Sequence, residues 1–152
     1  MITKKLRQRL SAQIANIYVI YLTKVRKCDI GQHCSISWRA TLDRANPRGI
    51  HIGDYSRVML EALIIAHDYS RGLHNSMWTD TRIGHHCVIG GRSIILPGVT
   101  LGNHVFVAAG SVVTKDFPDH CMIAGNPARI IRRGTIISDS TQIIENGERI
   151  KE

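Results

Sequence analysis

Aromatic side chains are scarce in this chain of 152 residues: Phe, Tyr and Trp make up 5% of it. A core with so few rings must be narrow and filled by Ile, Val and Leu, which the 43% hydrophobic content suffices to do for a single domain. The formal net charge is +8, yet the basic residues are not interleaved with stacking rings. No helix-turn-helix, finger or RNA-binding motif accompanies them, so nucleic acid is not the expected partner and an anionic small molecule or membrane surface fits better. No apolar run has the length needed to span a bilayer, and no signal peptide with a cleavage site is seen. Four cysteines, Cys28, Cys34, Cys87 and Cys121, lack metal-ligand spacing and read as reduced packing residues. The expectation is a cytoplasmic chain with no bound metal.

What the chain does have is a six-residue rhythm. From Ile83 an aliphatic recurs at every sixth position through Ile89, Ile95, Leu101, Val107 and Val113, and the same register runs through Ile30, Ile36, Leu42, Ile52, Val58 and Ile64. The fifth place of the hexad is small or β-branched, as at Cys87, Ser93, Val99, Val105 and Ser111. No helix or ordinary strand has that period, but a solenoid of short strands that turn a corner between repeats does. Three hexads per triangular coil stack residues 18 apart at about 4.8 Å, so twelve hexads predict an all-β solenoid of about four coils.

Two insertions interrupt the register, one between Leu42 and Ile52 and a longer one between Ile64 and Ile83. The second predicts a loop, roughly Tyr69 to Arg82, extruded just after His67, and a loop projecting beside a histidine is a natural place for chemistry. Ahead of the repeats, Leu6, Leu10, Ile14, Ile17 and Tyr21 recur at helical spacing. They predict a helix whose apolar stripe covers the open edge of the first coil; peripheral contact with the inner face of a membrane is the second reading. The single domain divides into a helical segment 1–27, a solenoid 28–133 and an extension 134–152 with the character of a strand and a tail.

The stretch from Ile83-Gly84 to Arg132 contains the turn Leu96-Pro97-Gly98, the run Gly110-Ser111-Val112-Val113-Thr114-Lys115-Asp116 and the element Ala124-Gly125-Asn126-Pro127-Ala128. Together these resemble the hexapeptide-repeat acyltransferases, left-handed parallel β-helix proteins, and within them the sugar and polysaccharide O-acetyltransferases. The resemblance implies a homotrimer that carries acetyl from acetyl-CoA to a hydroxyl, or an amine, of a saccharide acceptor. It assigns CoA contacts to Gly91, Ala109, Thr114, Lys115 and Arg132. It places the catalytic base at His67, for which a neutral imidazole is chemically suited. Asp68 and Glu61 are the candidates to orient that imidazole. Arg129 joins Lys115 and Arg132 as a cation suited to the phosphates.

The acceptor stretch, Ile36 to Asp43, lacks the aromatic and asparagine motif of the galactoside and maltose enzymes. The run Asn46 to Gly53, followed by a histidine-aspartate pair, is more like enzymes that decorate cell-surface polysaccharide. Trp38, Tyr69 and Trp78 could stack on a sugar. His86 and His104, 18 apart, stack on one corner with His33 and Tyr55 at the equivalent place. Two rival readings are a zinc-dependent carbonic anhydrase-like hydratase, which would use such histidines, and a β-helix scaffold without catalysis.

Overall fold

Every first-place aliphatic of the repeat is the last residue of a strand two or three residues long. In the computed structural model, which describes residues 4–71 and 77–150, the strands are β1 (Asp29–Ile30), β2 (Ser35–Ile36), β3 (Thr41–Leu42), β4 (Ile50–Ile52), β5 (Arg57–Val58) and β6 (Leu63–Ile64). They continue as β7 (Thr81–Ile83), β8 (Val88–Ile89), β9 (Ile94–Ile95), β10 (Thr100–Leu101), β11 (Phe106–Val107) and β12 (Val112–Val113). Three parallel ladders result, β1-β4-β7-β10, β2-β5-β8-β11 and β3-β6-β9-β12. Their registers pair first-place aliphatics directly, Ile52 on Ile83, Val58 on Ile89 and Leu42 on Ile64. The four coils form a left-handed parallel β-helix.

Ile36, Ile64, Ile89, Ile95, Val107 and Val113 are fully buried along the axis, and small fifth-place residues such as Ala62, Cys87 and Ser93 fill the inside of the corners. All four cysteines are free and buried. Burial pushes the Cys28 and Cys121 thiols up to about 11 and that of Cys87 to about 12. The corner between the first and second sheets is built on left-handed backbone at His33, Tyr55, His86, His104 and His120, where histidine is better tolerated than most residues. Their rings form one ladder. Successive centroids lie 4.8, 5.1, 4.8 and 4.8 Å apart, with all planes within 21° of parallel.

A partial fifth coil follows. Phe117 bridges to Leu101, and β13 (Cys121–Gly125) pairs in parallel with β11. The chain then reverses at Asn126-Pro127 into antiparallel β14 (Ala128–Ile137) and β15 (Ile143–Arg149), which extend the second sheet. Gly134 lies inside β14 at φ 81°, so the strand runs on past residue 133.

At the other end, helix α1 (Lys4–Ile20) and a wide turn over Tyr21–Val25 lie on the first coil, against β2. The side chains of Lys4, Lys5, Arg7 and Gln8, and loop residues 72–76, fall outside the described residues. The helix does not present the stripe expected from its spacing. Leu6, Leu10, Ile14, Ile17 and Tyr21 are 42–67% exposed, whereas Tyr18, Val19 and Leu22 pack on the core. Ser11, Ala12 and Ala15 face Ser35 and Ser37 across an open groove. The bulky stripe is turned outward. No helix among the described residues is long and apolar enough to cross a membrane.

Candidate functional site

The site is assembled at the corner that joins the third sheet to the first. Leu42 pairs with Ile64, so the residues that leave β3 lie alongside those that leave β6. Asp43 follows β3, and its carboxylate is almost wholly enclosed, with 1% side-chain exposure. Oδ1 accepts hydrogen bonds from the backbone N–H of Ala45 and Asn46, at 2.8 and 3.1 Å. Oδ2 accepts from the N–H of Ala66 at 2.7 Å and lies 2.5 Å from His67 Nδ1. Burial pushes the Asp43 carboxyl up, but these donors together outweigh it and hold the group below its ordinary range.

An ionised carboxylate can only accept, so it fixes the His67 proton on Nδ1. Nε2 is left with its lone pair and no hydrogen-bond partner among the described residues. That is the tautomer a general base requires. Tyr69 meets the imidazole edge-on at 4.9 Å, and Trp78 lies 6.4 Å away at 55°. The extruded loop is tied at its base. Asp68 N–H donates to Met77 O and Thr79 N–H to Ala66 O, while Asn46 Nδ2 bonds both Ala66 O (2.8 Å) and Thr79 O (3.0 Å).

The two residues expected to orient His67 do otherwise. Asp68 accepts from Ser70 and pairs with Arg71; Glu61 pairs with Arg39 and Arg92 on a different corner. Asp43 fills the role. Trp38 is 64% exposed on the corner after β2, whereas Tyr69 and Trp78 flank His67 on the corner after β6.

The residues assigned to CoA do not converge within one chain. Gly91 and Ala109 lie together on the corner between the second and third sheets, where Gly110 N–H donates to Gly91 O. A Cβ on Gly91 would lie 3.2 Å from Leu60 O, so part of its smallness answers to the coil beneath. Thr114 and exposed Lys115 leave β12 on the same corner as His67, two strand spacings farther along the axis, or about 10 Å. The ammonium of Lys115 sits 5.8 Å from the Phe117 ring centre. Arg132 is in β14 and donates to Gly147 O at 3.2 Å, while Arg129 is exposed where β14 begins.

His86 and His104 stack face to face at 6° to one another. Parallel rings direct their lone pairs side by side instead of toward a common point, and the described residues contain no group of three His, Cys, Asp or Glu able to hold a metal ion.

Residues 80–115 match the family model described as the hexapeptide repeat of succinyl-transferase. The chain is 34% identical over 112 residues to "Putative acetyltransferase YvoF" of Bacillus subtilis (strain 168), covering 74% of this chain and 63% of that protein. It is 44% identical over 69 residues to "Putative acetyltransferase SACOL2570" of Staphylococcus aureus (strain COL), covering 45% of this chain and 34% of that protein. The chain thus spans less than two thirds of either relative's length.

Among solved structures, the fold is similar to the hexapeptide-repeat containing acetyltransferase VCA0836 of Vibrio cholerae. The TM-score is 0.58 at 22% identity, over 79% of this chain and 81% of that one. A maltose O-acetyltransferase of Clostridium difficile 630 gives 0.55 at 22% identity, over 86% and 89%. Repeat register, family model and shared fold agree that the chain carries the hexapeptide repeat and is similar in sequence and fold to hexapeptide-repeat acetyltransferases.

Proposed function

We propose that this protein transfers an acetyl group from acetyl-CoA to a hydroxyl, or an amine, of a saccharide, with His67 as general base. The observation that carries this reading is the enclosed Asp43 carboxylate on His67 Nδ1, which leaves Nε2 as a proton acceptor at the mouth of a tied loop. In the reaction, Nε2 takes the proton of the acceptor hydroxyl as its oxygen attacks the thioester carbonyl. The tetrahedral intermediate collapses with expulsion of the CoA thiolate, which recovers the proton and leaves as the free thiol. Because a thiolate leaves readily, no covalent enzyme intermediate is required.

We further propose a homotrimer. With Gly91 and Ala109 on one corner of the prism and His67 on another, a cleft between neighbouring copies would bring one chain's donor-binding corner to another chain's base. Thr114, Lys115 and Arg132 would meet the extended cofactor along that cleft, with the cations suited to its phosphates. The names of the curated relatives support acetyl transfer, and the CoA-bound state of an N-acyltransferase with a similar fold suits a CoA thioester as donor.

The test is His67→Ala. Turnover should fall by about 10²–10⁴ while thermal stability and acetyl-CoA affinity are retained. Chromatographic detection of acetylated acceptor at near wild-type rate in His67→Ala would overturn the assignment.

A further inference from the structure

A groove of about 420 Å³ opens between the C-terminal part of α1 and the first coil. Three aromatic rings, Tyr18, Tyr21 and Trp38, and three guanidinium groups, Arg26, Arg39 and Arg44, line it, and no carboxylate does. The three cations are differently committed. Arg39 shares Glu61 with Arg92. Arg26 donates to the backbone oxygen of Asp43 at 3.3 Å, so it is fixed without being neutralised. Arg44 is exposed and engages no carboxylate among the described residues.

The aromatic side is equally specific. Tyr18 is pinned by its hydroxyl, which donates to Ala40 O at 3.2 Å. Trp38 presents its indole largely bare. A flat ring surface beside unneutralised guanidinium groups suits a ligand with an apolar face and an acidic substituent, because arginine grips a carboxylate or phosphate in a two-point fork.

Its position ties this groove to the chemistry. Thr41 and Leu42 line it immediately before Asp43, and Arg44 immediately after, while Asp43 holds His67. A molecule lying in the groove therefore ends beside the residue that orients the base, one strand spacing, about 4.8 Å, along the axis from the coil that carries it.

We infer that the groove recognises the acidic group of the acceptor, and that the acceptor is an anionic saccharide, a sugar bearing a carboxylate or a phosphate. This deepens the reading of His67 as base and rests on it. Arg44 is the principal anion contact, Arg26 the fixed one, and Trp38 the platform.

Calorimetric titration of the intact wild-type protein with glucuronate, glucose 1-phosphate and glucose tests the inference without relying on turnover. At least one anion should bind ten or more times more tightly than glucose, and added salt should weaken it. The tighter of the two anions identifies carboxylate or phosphate as the natural group. Arg44→Gln, at an exposed position that the fold does not use, should weaken that anion about tenfold or more. Trp38→Ala should weaken both anions.

Glucose binding as tightly as both anions would overturn the inference. So would unchanged anion affinity in Arg44→Gln, or no binding of either anion at about 10 mM. His67→Ala titrated in parallel separates the two readings: it should keep the anion affinity. If it also kept its turnover, the base assignment would fall and the groove would stand; loss of turnover with no anion preference in the wild type would sink the groove alone.

Discussion

Asp43 and His67 are 24 residues apart in the chain and 2.5 Å apart in space, Oδ2 to Nδ1. The strand register creates the contact: β3 on β6 sets the residue after one strand beside the residues that leave the other. The same carboxylate accepts three backbone N–H groups from both sides of the corner. One buried charge therefore shapes the turn after β3 and orients the imidazole after β6.

Asp43→Asn should lower turnover by about a hundredfold, because an amide cannot accept at every atom where the carboxylate does and the preferred imidazole tautomer is lost. The Michaelis constant for acetyl-CoA should change little, so the loss falls on turnover, which loss of packing alone would not do. Stability gives a second readout. The folded carboxyl lies below its unfolded value of about 3.9, so its contribution is complete above that pH and is lost as acid carries it through the lower folded value. Chemical denaturation should show wild-type stability falling below about pH 4 and a flatter profile in Asp43→Asn.

Lys115→Ala should raise the dissociation constant for acetyl-CoA about tenfold or more, from loss of one charge-assisted contact worth about 1.5–3 kcal/mol. Arg132→Ala is expected to do the same, but its bond to Gly147 O also holds β14 to β15, so its melting temperature should fall too. If the cleft is shared, Ala109→Trp chains, blocked at the donor corner, and His67→Ala chains purified together as mixed trimers should regain part of the turnover that each lacks alone. Trimers with no regained activity, or a fully active monomer by light scattering, would rule out the shared cleft.

His104 sits inside the ring ladder, and burial, with His120 and His86 on either side, pushes its proton affinity below the ordinary value. Asp139 lies 3.6 Å from His86, Asp119 favours the charged form of His104, and Ile137 N–H donates to His104 Nδ1. A histidine depressed by folding binds more protons when unfolded, so stability should drop as pH falls below about 6.5 toward the lower folded value. His104→Asn suits the left-handed backbone there and removes the titrating group. Its thermal stability should depend less on pH across that window than the wild type's; an unchanged dependence would refute the role of the ladder.

The axial core was legible because a period of six admits few alternatives: each repeated aliphatic found its place at the end of a strand. His67 beside its loop was visible for the same reason, as the point where the register breaks. Asp43 was not, although the register contained the means to find it. Pairing Leu42 with Ile64 already places Asp43 alongside Ile65 and Ala66, but reading along the chain favours Asp68, which is adjacent in sequence and turned to Ser70 and Arg71. The helix misled differently. Spacing shows that Leu6 to Tyr21 share a face; it cannot show which face meets the coil, and the contact with the core is made by Tyr18, Val19 and Leu22 instead.

The four enclosed thiols have a practical consequence. Their protons are held where few thiolates form near neutral pH, and the sulfur atoms of Cys34, Cys87 and Cys121 point toward backbone carbonyls at 3.1 to 3.2 Å. A disulfide reagent reacts with thiolate that it can reach. The folded protein should therefore give almost no colour with such a reagent until it is denatured, when four equivalents appear. Free CoA released during turnover could then be followed continuously against a silent background, and any slow rise without substrate would report unfolding instead of chemistry.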